Sequence, residues 1–470
     1  MASTRKSSST DLTERVAAQI APLLPAHSSI LIGLSGGVDS VVLLHLLHKL
    51  APRFSWQLSA LHVHHGISPN ADAWADFCAE LCERHLVSLH IEHVDIAPLR
   101  AHGIEAAARK LRHAAFSEQS CDFVALAHHA DDQAETLLLQ LLRGAGVRGA
   151  SAMPVLSESK RPLLVECAEP LNFLRPLLHC SRREILGYAE AHHLRWIEDE
   201  SNADDSYPRN FLRHRVMPLL SEKFPACRDT LARSAQHFAE ASELLDDLAR
   251  LDAPDLFPEG RGEGGELRLE LSRLQTLSQP RAKNLLRYFL HSIEAPMPQA
   301  AQLDDMLQQV CNARQDAAVC ITYGEWQVRR YQGRVYVLRV RGDFDHNFVL
   351  PWHGEDELDW PALNMRLRFE HTQASGISLA KLQLAPLTLR LRHGGETLRP
   401  HPNAATRTLK NLLQEHHVLP WQRERLPLLY CGEELVCVPN VAIAAEFQAA
   451  AEEAGVQLSV TNKCGSETSD

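Results

Sequence analysis

The chain has 470 residues, of which 45% are hydrophobic and 23% are charged. These proportions are typical of a folded globular protein and exclude a collagen-like, a wholly disordered or a disulfide-scaffold chain. The formal net charge of −11 argues against a general nucleic-acid coat. Arginine nevertheless outnumbers lysine by 39 to 9, and arginine suits bidentate phosphate contact. A GC-rich genome would produce the same excess.

The cysteines and the apolar runs indicate the compartment. The 11 cysteines are odd in number and include no CxxC pair, which favours reduced thiols and argues against a structural zinc site. No uncharged apolar run of about 18 residues occurs, so we expect no membrane span. The N-terminus also lacks the pattern of a secretory signal. We therefore expect a cytoplasmic protein.

A helix is predicted over residues 11–24, after a loose tail. Short apolar runs then alternate with helical patterns as far as residue 220. The predicted strands are 29–34, 58–64, 87–94 and 123–127, and the predicted helices lie near 40–50, 72–85, 103–118 and 131–143. Such alternation predicts right-handed βαβ units and a parallel sheet. Sheets of this kind bind ligands at the carboxyl ends of their strands.

The pattern changes after residue 222. Residues 231–250 and 281–310 are predicted to be helical, and 319–340 to form strands around a turn at Gln332–Gly333. The Pro/Gly-rich stretch 253–266 reads as a loop, and the acidic, irregular stretch 341–382 as a linker. We predict an α/β protein with a parallel-sheet catalytic domain (1–222), a mainly helical middle domain (228–340), that linker, and a small α+β C-terminal domain (383–462).

The segment LIGLSGGVDSVVLL (31–44) joins the first strand to an apolar helix. Two adjacent glycines let the backbone turn sharply, so that successive N–H groups form an anion site at the helix N-terminus. The carboxylate in this loop fits a ligand of Mg²⁺ that bridges phosphates. A Gly-Gly turn with a capped helix is the alternative. The predicted phosphate-binding residues are Ser35, Gly36, Gly37, Val38, Asp39 and Ser40.

A second cluster of polar residues begins where the fourth strand ends. His128 and His129 precede the next helix, while Asp131, Asp132 and Glu135 lie in its first turns at i,i+3 and i,i+4 spacing. Helix capping explains one such acid but not the whole set. Three carboxylates at this rim would hold Mg²⁺ or a cationic amine.

An upstream helix carries Glu105, Arg109 and Arg112 at helical spacing. Glu105 and Arg109 form a favourable i,i+4 pair. A solvated amphipathic face accounts for this spacing as well as a functional site does.

The SGGVDS string resembles the loop of the PP-loop, or N-type, ATP pyrophosphatases, which cleave ATP between the α and β phosphates. The motifs that follow it, taken in order, resemble the tRNA(Ile)-lysidine synthetases, and the similarity returns over 389–443. These motifs are LHVHHGIS (61–68), EAAARKLR (105–112), AHHADDQAETLLLQLLRGAGVRGASAMP (127–154), RPLL (175–178), SRREI (181–185) and WIEDESNADDSYPRNFLRH (196–214).

The resemblance implies a tRNA-modifying ligase that uses ATP to join free L-lysine to the wobble cytidine of an isoleucine tRNA with a CAU anticodon. It implies that residues 35–40 bind ATP, with Asp39 on Mg²⁺, and that Asp132 and Glu135 hold or deprotonate the lysine amine. Asp132 is a second candidate Mg²⁺ ligand, and His128 a further catalytic candidate. The resemblance further implies that Arg109 and Arg112 steady phosphate or the adenylated base. His64 departs from the family pattern, which more often has Asn there.

Two regions are candidate tRNA contacts. Residues 381–425 carry a net charge of +5, and Arg209, Arg213 and Arg215 form a second basic group. A solvated charged face is the alternative for both. Two other functions stay open: another PP-loop enzyme such as a tRNA cytidine thiolase, and a non-catalytic nucleotide-binding regulator. A homodimer is compatible with the sequence, but nothing in it argues for one.

Overall fold

The computed structural model describes residues 11–66, 68–95, 104–158, 171–198, 204–256, 267–314, 317–340, 342 and 344–462. Within this part, the chain forms two compact units that meet in sequence at residues 252 and 253. Each unit is described by itself.

The first unit alternates strands and helices. Its strands are β1 (Ser29–Gly33), β2 (Gln57–His64), β3 (Ser88–His93), β4 (Phe123–Ala125), β5 (Leu156–Glu158) and β6 (Asn172–Leu174). Its helices are α1 (Leu12–Ile20), α2 (Val38–Phe54), α3 (Ala71–Arg84), α4 (Ile104–Ser117), α5 (Ala130–Leu142), α6 (Val147–Ala150), α7 (Arg182–Ala191), α8 (Pro208–Phe211), α9 (Met217–Lys223) and α10 (Cys227–Asp252), with a π-helical turn at Leu212–Val216.

The strands form one sheet in the order β3-β2-β1-β4-β6-β5. All neighbouring pairs are parallel except β5 with β6. The predicted parallel sheet is therefore confirmed, as are its first four strands and their helices. The sequence analysis missed β5 and β6, because a run of three residues is too short to show a period.

The core of this unit explains why the strand before the loop is rigid. Ile30 and Ile32 on β1 are fully buried, and they pack in one cluster with apolar residues of α2 such as Val42 and Leu46. Burial on both faces is what a central parallel strand requires. The carboxyl end of β1 is thus a fixed point from which the loop to α2 departs.

The long helix α10 packs against α5 and α6 in the first unit. Most of these residues were predicted to belong to the middle domain (228–340) instead. An ion pair between Arg148 on α6 and Asp246 on α10 adds a polar contact between these two helices. A single 26-residue helix therefore extends the sheet-bearing unit beyond residue 222.

The second unit begins with three helices and an antiparallel sheet. The helices are α11 (Leu271–Thr276), α12 (Gln279–Ser292) and α13 (Ala300–Asn312), and the sheet has the order β7-β10-β9-β8 from Arg268–Glu270, Arg334–Arg339, Trp326–Tyr331 and Cys320–Tyr323. The turn at Gln332–Gly333 is confirmed, with φ values of 47° and 73°. The single helical stretch predicted over 281–310 is wrong, because the chain leaves the helical conformation near Pro296 and Pro298.

The prediction of a linker at 341–382 is also wrong for the described residues. This stretch contains β11 (Leu350–Trp352), β12 (Glu357–Trp360), β13 (Met365–Gln373), β14 (Ile377–Ser378) and α14 (Leu379–Leu382). β13 pairs over nine residues with β21 (Ala454–Asn462), close to the end of the chain. Leu367 and Phe369 are buried on β13, so period-two alternation outweighs the acidic composition.

The remaining elements complete an α+β C-terminal region, as predicted. They are β15 (Leu387–Arg390), β16 (Thr397–Leu398), β17 (Arg407–Thr408), α15 (Leu409–Glu415), α16 (Pro420–Arg423), β18 (Leu428–Cys431), β19 (Glu434–Val438) and β20 (Ala442–Ile443). Two larger sheets have the orders β11-β15-β18-β19-β20 and β12-β13-β21-β14. The nine cysteines in the described part of the chain are all unpaired, and none of its helices has the length and apolar character that a bilayer crossing needs.

Candidate active site

The predicted phosphate loop lies where β1 ends and α2 begins. Gly36 has φ of +84°, and a Cβ atom there would stand 2.8 Å from Cδ1 of Ile197. The backbone N–H of Ile197 in turn donates to the carbonyl of Gly36 over 2.9 Å. Glycine is therefore required at this position both by backbone conformation and by a close neighbour.

Hydroxyl groups tie the loop to the helix that follows it. The Ser40 hydroxyl donates to the carbonyl of Gly37 over 2.9 Å, and its oxygen is 3.2 Å from that of Ser35. Val38, the first residue of α2, is buried. These contacts hold the turn at the N-terminus of α2. The first N–H groups of a helix have no partner within the helix, and such a terminus is an arrangement that binds anions.

Asp39 is the acidic residue of this loop and is only partly exposed. Its Oδ1 atom is buried and has no hydrogen-bond partner among the described residues. Burial raises the pKa of Asp39, while the charges of His129 and Arg182 oppose that rise. An enclosed carboxylate oxygen without a donor is suited to a cation.

The second polar cluster is formed by the first turns of α5. The backbone N–H of His129 donates to Oδ2 of Asp132 over 3.0 Å, which caps the helix. Asp132 and Glu135 are both buried and lie one turn apart on the same face. The helix therefore brings these two carboxylates together on one face, as their spacing in the sequence predicted.

Two arginines form ion pairs with both of these acids. Arg209 contacts Oδ1 of Asp132 over 2.8 Å and Oε2 of Glu135 over 2.9 Å. Arg213 contacts the same two side chains over 2.7–3.1 Å. The sequence analysis grouped both arginines with Arg215 as tRNA contacts and did not connect them to the acids.

A signal for this pairing was present in the sequence. Arg209 and Arg213 are four residues apart, so on a helix they match the spacing of Asp132 and Glu135. The helical segment from α8 through the π-helical turn carries both arginines. Arg215 instead faces Asp205 in an exposed ion pair.

The pKa values of the cluster follow from its burial and its charges. Burial alone would raise the pKa of Asp132, but His129, Arg209 and His128 together hold it below the ordinary value. Burial lowers the pKa of Arg213, yet its hydrogen bond and charge interaction with Glu135 raise it overall. Asp132 and Arg213 are therefore ionised at neutral pH.

His128 lies beside the cluster as an uncharged imidazole. Its Nδ1 is buried without a partner among the described residues. Burial lowers the pKa of His128 to about 3, against an opposing effect from Asp132, and the charges of Arg175, Arg209 and Arg109 lower it further. His128 is consequently neutral in the pH range in which most enzymes work.

Arg109 and Arg112 are exposed on α4. The charge of Arg109 lowers the pKa of His128, and that of Arg112 lowers the pKa of His65, so each arginine lies near a residue that follows a strand end. The side chain of Glu105 falls outside the described residues, and its predicted ion pair with Arg109 stays a prediction.

Two candidates turn out to have structural partners. Asp131 accepts from the backbone N–H of Arg182 over 3.0 Å and pairs with Arg228 of α10 over 2.9 Å. It therefore ties α5 to α7 and α10 and does not join the acid pair. His64, the departure from the family pattern, contacts Asp72 over 2.9 Å.

The chain matches three family models in order. They are the PP-loop domain over residues 9–220, the TilS substrate binding domain over 269–336 and the TilS substrate C-terminal domain over 387–460. It is also 40% identical over 452 residues to a tRNA(Ile)-lysidine synthase of Nitrosomonas europaea, covering 95% of both chains.

The chain belongs to the tRNA(Ile)-lysidine synthase family.

Further lysidine synthases align over nearly their whole length. That of Aromatoleum aromaticum is 42% identical, covering 94% of this chain and 99% of the relative. That of Azoarcus sp. is 41% identical, covering 90% of this chain and 89% of the relative. The fold is thus that of a lysidine synthase: a PP-loop domain, a substrate binding domain and a C-terminal domain.

Proposed function

We propose that this chain is an ATP-dependent ligase that forms lysidine at the wobble cytidine of an isoleucine tRNA with a CAU anticodon, which changes its codon from AUG to AUA. One observation carries the proposal: in a chain of this family, Asp39 of the loop and Asp132 of the buried acid pair lie 3.7 Å and 3.5 Å from Nε2 of one imidazole, that of His129. Such a site would hold a nucleotide beside a cationic amine.

The chemistry consists of two displacements. The 2-carbonyl oxygen of cytidine attacks the α-phosphorus of ATP, a new O–P bond forms, and pyrophosphate leaves. The ε-amine of lysine then attacks C2 of the activated base, and AMP leaves with the electrons of the C–O bond. A protonated amine is not a nucleophile, so the second step needs a proton acceptor.

Loop residues 35–40 would hold the ATP phosphates through backbone N–H groups and the hydroxyls of Ser35 and Ser40. Mg²⁺ fits here, because Oδ1 of Asp39 is buried without a donor and Mg²⁺ commonly takes one or two carboxylates along with phosphate oxygens. When bound, the ion neutralises charge on the phosphates. No group of three or more metal-ligating side chains occurs among residues the structure describes, so phosphate oxygens and water would supply the remaining ligands.

Asp132 is the weaker of the two candidate Mg²⁺ ligands. Its Oδ1 already accepts from Arg209 and Arg213, and its Oδ2 from the backbone of His129. We therefore assign Asp132 and Glu135 to the lysine amine. Asp132 is held ionised and suits binding of the ammonium group. Glu135 would accept its proton once the amine displaces an arginine from that carboxylate.

The neighbouring groups have supporting roles in this proposal. The ammonium group of lysine would replace part of the charge that Arg209 and Arg213 now supply to the acids. Arg109 and Arg112 would steady the phosphate or the activated base, where negative charge develops. Neutral His128 would donate or accept a hydrogen bond without adding charge.

Contacts with tRNA are proposed for the basic C-terminal stretch. Several of its arginines already have acidic partners, among them Arg390 with Glu433 and Arg399 with Glu446, so the net charge of the surface is smaller than the local count. Lys410 is exposed and is the clearest candidate. A cytoplasmic location completes the proposal.

Incorporation of labelled lysine into tRNA tests the function. The protein is incubated with ATP, Mg²⁺, labelled lysine and an isoleucine tRNA transcript with a CAU anticodon. A transcript with a GAU anticodon is the matched control, because it lacks the wobble cytidine. Label in the first transcript alone supports the proposal, while ATP binding without transfer of lysine refutes it.

A further inference from the structure

His129 lies between carboxylates that belong to two different strand–helix units. Its Nε2 is 3.7 Å from Oδ2 of Asp39, on α2, and 3.5 Å from Oδ2 of Asp132, on α5. The residue is 1% exposed. A single buried imidazole therefore faces the phosphate side and the amine side of the site at once.

The imidazole is not what caps α5. The capping hydrogen bond to Asp132 comes from the backbone N–H of His129, which any residue other than proline would supply. The second ring nitrogen, Nδ1, is buried and has no partner among the described residues. The contacts of the ring with the two carboxylates are therefore separate from the capping of the helix.

We propose that His129 is a positioning residue that sets the separation of Asp39 and Asp132, an inference that rests on the proposed function. Two carboxylates that approach the same ring repel each other, and an N–H group at Nε2 that faces both of them would offset that repulsion. The ring would act on the proposed phosphate and amine sites through these two side chains.

The consequence for the reaction is a matter of alignment. The activated base has to meet the lysine amine at a fixed distance, and small displacements of bound groups reduce rates strongly. Loss of the imidazole would leave the loop hydroxyls of Ser35 and Ser40 and the carboxylate of Glu135 in place, but would let Asp39 and Asp132 shift relative to each other. The turnover number should therefore fall more than the affinities.

Steady-state kinetics of three variants test this role. We expect His129→Ala to lower kcat by about 10–100-fold, the range found when supporting side chains of a site are removed. The KM values for ATP and lysine should change much less. His129→Gln retains an N–H donor and should recover most of the lost rate. His45→Gln is the control. This half-buried histidine lies on the same helix as Asp39, but its ring contacts Tyr188, which is not a proposed site residue.

Three results would overturn the role: unchanged kcat in His129→Ala, equal loss in the Ala and Gln variants, or a rise in KM that accounts for the whole effect. Thermal unfolding of each variant separates loss of folding from loss of positioning. If His129→Ala does not fold, the comparison of His129→Gln with His45→Gln decides. A His129→Gln enzyme as slow as an Asp132→Ala enzyme contradicts the proposal.

Crystal structures of the wild type and of His129→Ala test the positioning without any turnover. The Asp39 or Asp132 carboxylate is expected to move in the variant by more than about 0.5 Å, the tolerance of a well-held site. Unmoved carboxylates refute the proposal. Because the measurement needs no lysine transfer, it stands even if the proposed function fails in the incorporation assay.

Discussion

Arg213 holds Glu135 by two parallel hydrogen bonds, from Nε to Oε1 over 2.7 Å and from Nη2 to Oε2 over 2.9 Å. Bidentate pairs of this kind are both strong and directional. The glutamate side chain is almost fully buried, so the loss of a charged partner there is costly. The segment that follows α8 is thereby fixed against α5 at the centre of the site.

Removal of Arg213 should destabilise the fold. We expect Arg213→Ala to lower the free energy of unfolding by about 1.5–3 kcal/mol, the usual contribution of hydrogen bonds to a buried charge. Arg215→Ala is the matched control, because its ion pair with Asp205 is exposed and should contribute less than about 1 kcal/mol. Urea unfolding measures both values, and equal losses would contradict the assignment.

The conformation of Gly36 predicts a second stability effect. An alanine there would adopt a positive φ at a cost of about 1–2 kcal/mol and would press on Ile197. ATP affinity should fall as well, since the loop must deform. Gly187→Ala provides the contrast, because Gly187 lies in α7 with open space around it, and the change should stabilise the helix by about 0.5–1 kcal/mol. A stable Gly36→Ala variant with normal ATP affinity would contradict the loop assignment.

Local patterns in the sequence predicted most of the first unit. The strand–loop–helix around Gly36 and the acid pair Asp132 and Glu135 follow from periodicity and spacing alone, because each lies within a few residues of its neighbours. The contact between Asp39 and His129 could not be predicted in this way, because it also depends on the order of the strands in the sheet. Strand ends that are distant in sequence meet at one edge of such a sheet.

The errors have a common physical origin in long-range contacts. Arg209 and Arg213 lie more than 70 residues from the acids they pair with, so local charge counting assigned them to a surface. β13 looked like part of a linker because its partner strand, β21, comes at the end of the chain. The role of Asp131 likewise depends on Arg228, which no local window contains.

Asp39→Asn should separate activity from stability. Burial raises the pKa of Asp39, so its ionised form weakens the fold above the ordinary aspartate pKa. The variant should therefore be as stable as the wild type or more stable at pH 7.5, and the difference should vanish below about pH 4. Lysine transfer should fall by about 100-fold, the usual effect of removing a preorganised electrostatic group.

Asp122→Asn is the control of opposite sign. Hydrogen bonds from the backbone and the hydroxyl of Ser29 lower the pKa of Asp122, so its ionised form stabilises the fold. This variant should lose stability at pH 7.5 and keep its activity. A destabilised Asp39→Asn, or an active one, would contradict the account of the loop.

The loss of folding stability in acid should come partly from His45. Burial, together with Lys49, His192, His85 and His48, lowers the pKa of His45 to about 4. The unfolded state then binds a proton that the folded state does not, so stability is lost as the pH falls from about 6.5 to about 4. His45→Gln should flatten the pH dependence of the unfolding free energy in this window and should leave the slope above pH 7 unchanged. Identical slopes for both proteins would contradict the prediction.

Mass spectrometry of the modified tRNA tests the central claim most directly. After reaction with ATP and lysine, the isoleucine tRNA is digested to nucleosides and to anticodon-loop fragments. The account predicts one cytidine, at the wobble position of the CAU anticodon, that is heavier by a lysine less a water, with one AMP released for each. An unmodified wobble cytidine, or a lysine attached elsewhere, would contradict it.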